Sequence, residues 1–137
     1  MMIIRDYKKN IEMPLQSFED VRGSIIDIFY NENINHVAII NTKPFNVRGN
    51  HYHKETTQHV LVTKGYLEYW YKEYGSTSNA KFKIVEPGQI VSTPPYEIHA
   101  LNIKEQENEF IVFSSGLRGG MDYEKDTFRV SNIINEK

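Results

Sequence analysis

The chain has 137 residues, close to the commonest size of a folded domain, so we expect a single domain over residues 1–137. Its 16 basic and 18 acidic residues give a net charge of -2, which argues against a nucleic-acid-binding surface and against a polybasic contact with membranes. The sequence contains no cysteine, which excludes disulfides, thiolate metal ligands and thiol nucleophiles.

Short segments rich in Ile, Val, Phe and Tyr recur along the chain between Gly, Pro, Asn and Ser, and they are predicted to be strands. In chain order they are GSIIDIFY, HVAIINT, QHVLVTKGYLEYWYKE, AKFKIVEPG, QIVSTP and ENEFIVFSSG. No segment keeps an apolar period of 3.6 over three turns, so we expect at most a short helical turn, near 54–57. About eight or more short strands favour an all-β fold, a double-sheet jelly roll with a ligand opening between its sheets.

The first chemically distinctive stretch is RGNHYHKETTQHVLVTKG, which begins at Arg48. His51 and His53 are one residue apart, so on a strand both imidazoles project from the same face. Gln58 follows His53 after four residues, and a third histidine, His99, lies in the later stretch PGQIVSTPPYEIHALN. Histidines grouped in this way indicate a functional site more than they indicate packing.

These two stretches resemble the two signature motifs of the cupin superfamily. The first cupin motif has a glycine, a His-x-His, a glutamate four residues further on and a glycine after six more. The matching residues here are His51, His53, Gln58 and Gly65, followed in the second motif by Gly88, Pro94, His99 and Asn102. The resemblance implies a cupin double-stranded β-helix, a jelly-roll barrel. It also implies that His51, His53, Gln58 and His99 converge inside the barrel, usually on a divalent metal.

Gln58 stands where cupins place a glutamate, and this difference leaves two kinds of site open. Three neutral imidazoles with a carboxylate suit Zn, Fe, Mn or Ni, whereas an amide leaves the full charge of the ion uncompensated in a barrel of low dielectric. We therefore expect weak metal affinity. One interpretation is an acid/base site that requires no cofactor, and the alternative is a divalent metal on His51, His53, Gln58 and His99.

A second resemblance accounts for the glutamine. The chain resembles the metal-independent cupins that act on nucleotide-linked keto sugars, namely the dTDP-sugar 3,4-ketoisomerases and, more distantly, the dTDP-4-keto-6-deoxyhexose 3,5-epimerases. RGNHYH is also similar to the zinc-containing cupin domain of capsular-sugar reductases, which keeps the glutamate. The positions that match the ketoisomerases are Asp20, Arg22, Gly23, Arg48, Gly49, His51, His53, Lys54, Gln58, Asp122 and Tyr123.

The chemistry of such a site follows from its residue types. Moving a carbonyl along a sugar ring, or inverting a neighbouring carbon, requires removal of a proton next to the ketone and its return elsewhere. Histidine titrates near neutral pH and suits both steps, so His51 is our candidate base and His53 its partner in returning the proton. A tyrosine hydroxyl can serve as the acid on the opposite face of the sugar, and the candidates are Tyr66, Tyr69 and Tyr96.

We expect Arg48 and Arg22 to bind the anionic end of a nucleotide sugar, since a guanidinium pairs with a pyrophosphate through two hydrogen bonds. Gln58 and Tyr66 are further candidates for substrate contacts. The alternative for Arg22 is a surface ion pair with Asp20 or Glu19. The segment RGG at 118–120 is interpreted as a turn.

Together these observations predict an isomerase of a nucleotide-linked 4-keto-6-deoxy sugar that performs 3,4-ketoisomerisation or epimerisation by histidine acid/base chemistry. The alternatives are a metal-dependent cupin of unknown reaction and a cupin that binds a sugar or another small molecule without catalysis. We expect a nucleotide-sugar ligand and neither nucleic acid nor membrane as partner.

We also expect a homodimer, because the apolar ends MMIIRDY and FRVSNII would be buried on a neighbour's sheet edge. No apolar run approaches the roughly 20 residues of a membrane span, and MMIIRDYKKN lacks the apolar core and cleavage site of a signal peptide. A cytoplasmic location is therefore expected.

Overall fold

The computed structural model describes residues 1–8 and 13–134, and strands form almost all of the regular structure in these ranges. The strands are β1 (Ile3–Asp6), β2 (Gln16–Asp20), β3 (Gly23–Asp27), β4 (His36–Thr42), β5 (Val47–Tyr52), β6 (Thr57–Lys64), β7 (Leu67–Glu73), β8 (Lys81–Val85), β9 (Gln89–Thr93), β10 (Glu97–Asn102), β11 (Asn108–Ser115) and β12 (Phe128–Arg129). The predicted all-β fold is confirmed.

The strands form two five-stranded antiparallel sheets and one hairpin. The first sheet has the order β1-β9-β6-β11-β4 and the second the order β12-β5-β10-β7-β8, while β2 and β3 pair only with each other. Strands distant in sequence therefore lie side by side: β1 pairs with β9 and β12 with β5. Two sheets connected in this crossing order form the jelly roll that the sequence predicts.

The core lies between the two sheets and consists of the inward-facing residues of each strand. In β11 burial alternates, so that Phe110 and Val112 point inward. They pack with apolar side chains from both sheets, which are Met2, Ile4, Val60, Val62, Leu67, Tyr69, Val85, Val91, Leu101 and Ile103. Leu101, Phe110 and Val112 also form part of the wall of the cavity described below, so the core supports the site directly.

Part of each apolar end is covered by the chain itself. Met2 and Ile4 belong to the core, and the backbone N–H of Met2 donates to Oε1 of buried Glu97 at 3.0 Å. At the other end, Ile133 and Ile134 pack on the outer face of the second sheet in a separate apolar cluster. The chain itself thus buries part of both ends, while Met1 and Ile3 stay exposed, and the homodimer stays a prediction.

Three details differ from the sequence-based expectations. The strands β1, β2, β5, β10 and β12 lie outside the predicted segments, although His51 and His53 were considered on a strand. Residues 54–57 form no helical turn but a bend leading into β6, and the short helix of the described residues is a 3-10 turn at Gly120–Asp122. Within ranges 1–8 and 13–134, no helix has the length and hydropathy required to cross a membrane.

Candidate active site

An irregularity in β5 places two of the histidines opposite each other on neighbouring strands. Gly49 and Asn50 have positive φ angles of 98° and 57°, and the pairing of β5 with β10 shifts at this point, so that Asn50 is an extra, bulged residue. Glycine and asparagine adopt positive φ more readily than other residues, which explains the Gly-Asn pair in the sequence. After the bulge, His51 pairs directly with His99 on the neighbouring strand.

Three imidazoles converge inside the barrel. The ring centres of His51 lie 4.8 Å from His99 and 4.9 Å from His53, and one nitrogen of each ring lies within 4.8 Å of the others. Burial, reinforced by the neighbouring histidines, lowers the pKa of His51 to about 2 and that of His99 to about 3. Burial also lowers the pKa of His53, although its hydrogen bond to the backbone of Asp126 opposes this. At neutral pH all three rings are uncharged.

His51 and His99, together with His36, line a cavity of about 300 Å3 that opens to solvent. In the described residues, five buried side-chain polar atoms lack a hydrogen-bond partner, and four of them belong to residues that line this cavity. These atoms are Nδ1 of His36, Nδ1 of His51, Nε2 of His99 and Oγ of Ser114. Buried polar groups are almost always paired, so their concentration here marks a binding site for a polar ligand.

Arginines surround the same cavity, which is lined by Arg48, Arg118 and Arg129. Arg118 is buried, donates to Oγ1 of Thr127 at 2.6 Å and lies over the ring of Tyr123 at 4.6 Å. No ion pair found within the described ranges neutralises its charge. A buried guanidinium without a counter-ion beside neutral imidazoles makes the cavity suited to an anionic ligand.

The structure brings together most of the residues proposed from the cupin motifs. His51, Gln58, His99 and Arg48 line the cavity, and His53 lies buried beside it with Nε2 3.2 Å from Oε1 of Gln58. Arg48 donates to Oγ1 of Thr42 at 2.7 Å and to the backbone oxygen of Asn41 at 2.9 Å, so its guanidinium is held at the rim.

The other proposed residues lie elsewhere in this chain. Arg22 is exposed on the β2–β3 hairpin and forms the alternative ion pair with Asp20 at 2.7 Å. Tyr66 is held by Glu105 on the surface. Tyr96 lies in the turn before β10, with its ring beside that of Tyr52, which points to the opposite side of β5 from His51. The hydroxyl of Tyr69 is buried against Thr93 and Glu97, outside the cavity, although its ring is parallel to that of His99.

The sequence analysis missed several residues that line the cavity. Arg118 was interpreted only as part of a turn, and Arg129, His36 and Ser114 were not considered. Tyr123 entered only through the ketoisomerase resemblance, yet it is the tyrosine that reaches the cavity. A signal for His36 and Ser114 was present, since both lie at inward positions of predicted strands and pair across β4 and β11.

The residues present fit a divalent metal in part. His51, His53 and His99 provide one nitrogen each in a compact group, and two of these rings have a buried nitrogen without a partner in the protein. Three neutral imidazoles and one amide oxygen are a complete but uncharged ligand set, which suits a borderline ion such as Zn with low affinity.

The family model for polysaccharide biosynthesis C-terminal domains matches residues 18–117 of the chain. A comparison with curated proteins finds no match. The solved structures, by contrast, include many similar folds.

A 3,4-ketoisomerase from Helicobacter canadensis superposes with a TM-score of 0.70 and 21% identity, covering 94% of this chain and 90% of that one. The sugar 3,4-ketoisomerase QdtA from Thermoanaerobacterium thermosaccharolyticum, solved in complex with TDP, superposes with a TM-score of 0.69 and 16% identity. The match covers 94% of this chain and 88% of that one. A dTDP-4-dehydrorhamnose 3,5-epimerase from Sulfolobus tokodaii superposes with a TM-score of 0.63 and 19% identity. The match covers 84% of this chain and 73% of that one. These likenesses confirm the predicted fold and the resemblance from which it was inferred.

Proposed function

The chain belongs to the family of polysaccharide biosynthesis C-terminal domains, and from this premise we propose that it is an isomerase of a nucleotide-linked 4-keto-6-deoxy sugar. The reaction is 3,4-ketoisomerisation or epimerisation next to the ketone. The observation that carries the proposal is the cavity itself, in which unpartnered neutral imidazoles lie beside the buried, uncompensated Arg118. The imidazoles can exchange protons, and Arg118 can bind a pyrophosphate.

The reaction requires a proton to leave C3 of the sugar, and His51 is the group proposed to take it. The electron pair of the C3–H bond then forms an enolate over C3 and C4. Return of a proton to C4, with transfer of the hydroxyl proton from O3 to O4, moves the ketone to C3, whereas return to the other face of C3 inverts that carbon. His53 and Tyr123 are the candidates for proton return.

The low pKa of His51 must rise before this histidine can act as an effective base. In the free protein, burial and the surrounding positive and imidazole groups disfavour its charged form. A bound pyrophosphate brings negative charge to Arg118, which itself contributes to lowering the pKa of His51. Binding of the nucleotide sugar is therefore proposed to raise the pKa of His51. His51 then removes the proton from C3 of the sugar only in the complex.

The test is hydrogen exchange. Incubated in deuterated water with a dTDP-4-keto-6-deoxy sugar, the protein should place deuterium at C3, or at C3 and C5 for an epimerase, without added metal. His51→Asn should lower the exchange rate by about 100-fold or more, the usual contribution of a general base, while TDP still binds. Arg118→Met should weaken TDP binding instead. No exchange with several bound nucleotide-linked keto sugars would contradict the proposal and leave a binding function.

A metal-dependent reaction is the second candidate, and the compact group formed by His51, His53 and His99 favours it. A metal ligated there would polarise the sugar carbonyl and so acidify the neighbouring C–H bond. Exchange that vanishes after chelation and returns only with added Zn, Fe, Mn or Ni would favour this candidate over the metal-free reaction. His99→Asn would then be as damaging as His51→Asn.

A further inference from the structure

We propose that Asp126 is a positioning residue, which holds His53 in the tautomer that carries its proton on Nδ1 and directs the lone pair of Nε2 toward the site. The inference rests on the proposed function in taking His53 as a group of the active site. Asp126 was not considered in the sequence analysis, and it lies 73 residues after His53.

Asp126 contacts His53 and the residues after it from two sides. Its backbone oxygen accepts a hydrogen bond from Nδ1 of His53 at 2.7 Å. Its carboxylate accepts four more: Oδ1 from the backbone N–H of Lys54, and Oδ2 from the N–H groups of Glu55 and Thr56 and from the Thr56 hydroxyl, all at 2.8–3.0 Å. The carboxylate thus fixes the bend that begins directly after His53, while the carbonyl fixes the ring.

The carbonyl contact determines where the proton on the neutral ring lies. A carbonyl oxygen can only accept, so Nδ1 of His53 must carry the hydrogen. With the single proton of the neutral ring held on Nδ1 by this contact, Nε2 has no hydrogen and keeps its lone pair. Nε2 lies 3.2 Å from Oε1 of Gln58, and because two acceptors do not bond to each other, this tautomer requires the Gln58 amide to turn and donate from its NH2 group. This lone pair is what proton transfer requires, and a metal would require the same.

The carboxylate of Asp126 matches the arrangement of donors around it. Asp126 is buried, and a carboxylate offers acceptor sites on both oxygens, which matches four donors that arrive from one bend. Although burial alone would raise the pKa of Asp126, the three backbone N–H groups and the Thr56 hydroxyl lower it overall. Gly116 permits the approach of this bend, because a Cβ at that position would collide with the Thr56 side chain.

The test compares the imidazole nitrogens of His53 by two-bond 1H–15N correlation, with signals assigned from a His53→Gln variant. The wild type should show Nδ1 protonated and Nε2 unprotonated. Asp126→Asn places an NH2 group against at least one of the N–H donors, so the bend and the carbonyl move. In this variant we expect the Nδ1-protonated pattern to be lost or averaged. Exchange on the sugar should fall about 10- to 100-fold, as for other partners that orient a site residue, with TDP binding retained.

Two comparisons separate positioning from general damage. Asp6 is another buried carboxylate that accepts a backbone N–H, at 2.6 Å from Lys8, and it does not line the cavity. Asp6→Asn should reduce stability without changing the His53 spectrum. If Asp126→Asn does not fold, Thr56→Val removes a single donor and should shift the His53 signals in the same direction, whereas Thr56→Ser should restore them.

The proposal is overturned if wild-type His53 carries its proton on Nε2, or if the folded Asp126→Asn variant keeps the wild-type tautomer. The spectra do not depend on the reaction. An enzyme assay without activity in the wild type would contradict the proposed function, while the His53 spectra would still decide the role of Asp126.

Discussion

Gln58 is the residue at which this chain departs from the usual cupin motif, and its surroundings show why an amide is compatible with the site. It is buried, faces Nε2 of His53 and lies in the same cavity as His51 and His99. By rotating, an amide can offer either its oxygen or its NH2 group to an imidazole, whereas an ionised carboxylate can only accept. A glutamine therefore accommodates a neutral His53 as well as a charged one.

Gln58→Glu should convert the site into a better metal centre. The added negative charge compensates part of the charge of the ion, so binding of Zn or Ni should become tighter by about 1–3 kcal/mol, as measured by isothermal titration calorimetry. The wild type should be purified largely free of metal. Stoichiometric metal that survives dialysis against a chelator in the wild type would show that the carboxylate is not needed and would support the metal-dependent candidate.

The bulge in β5 is the element that aligns the histidines, and its glycine has a measurable role. A Cβ at Gly49 would lie 2.8 Å from the backbone oxygen of His99, and backbone atoms cannot rotate away. Gly75 also has positive φ, 83° against 98°, but a Cβ there meets nothing within 4 Å. Alanine at Gly75 would therefore cause backbone strain alone, whereas alanine at Gly49 would also push β5 and β10 apart.

Gly75→Ala should lower the free energy of unfolding by about 1–2 kcal/mol, the strain of a left-handed alanine. Gly49→Ala should cost about 1–3 kcal/mol more, because β5 and β10 must also move apart. Chemical denaturation measures both values. The imidazole signals of His51 and His99 should change only in Gly49→Ala, and equal effects of the two substitutions would contradict this role of the bulge.

The sequence allowed prediction of strands and faces better than prediction of the rim of the site. HVAIINT coincides with β4, and the opposite orientations of Tyr52 and His51 follow from strand alternation. Strand alternation could not place Arg118 or Asp126, because their positions depend on packing between segments far apart in the chain. For Arg22 the structure shows the alternative, the ion pair with Asp20, and the motif match alone could not show that its hairpin lies outside both large sheets.

For the whole molecule, the buried histidines predict a stability that depends on pH. Unfolded histidines bind protons below about pH 6.5, whereas His51 and His99 stay neutral in the folded chain down to pKa values of about 2 and 3. Their folded pKa values are lowered, so stability is highest above pH 6.5 and falls as the pH decreases. The loss is up to about 1.4 kcal/mol per pH unit for each histidine.

Urea unfolding in the presence of a chelator, between pH 7 and 4.5, measures this dependence. His51→Asn removes one of several histidines whose pKa is lowered by burial, so its stability should fall less steeply with decreasing pH, by up to about 1.4 kcal/mol per pH unit. An unchanged slope in His51→Asn would mean that His51 is not held neutral in the folded protein.

The homodimer prediction now depends on apolar side chains that a single chain leaves exposed. Ile39 and Val37 on β4 are 67% and 57% exposed, and both project from the outer face of the first sheet. A second copy would cover them. Light scattering at micromolar concentration should give a dimer, and Ile39→Arg should give a monomer, while Ile84→Arg on β8 of the second sheet should not. A monomeric wild type would contradict the prediction.

The hydrogen bond between His53 and the backbone of Asp126 has a consequence for the nascent chain on the ribosome. The two residues are 73 positions apart, so at about 5–20 residues per second the ribosome needs roughly 4–15 s to make the second after the first. Throughout this interval His53 has been synthesised but its partner has not, and β5 has no β12 beside it. We therefore expect the nascent chain to leave the β12 side of β5 unpaired for several seconds.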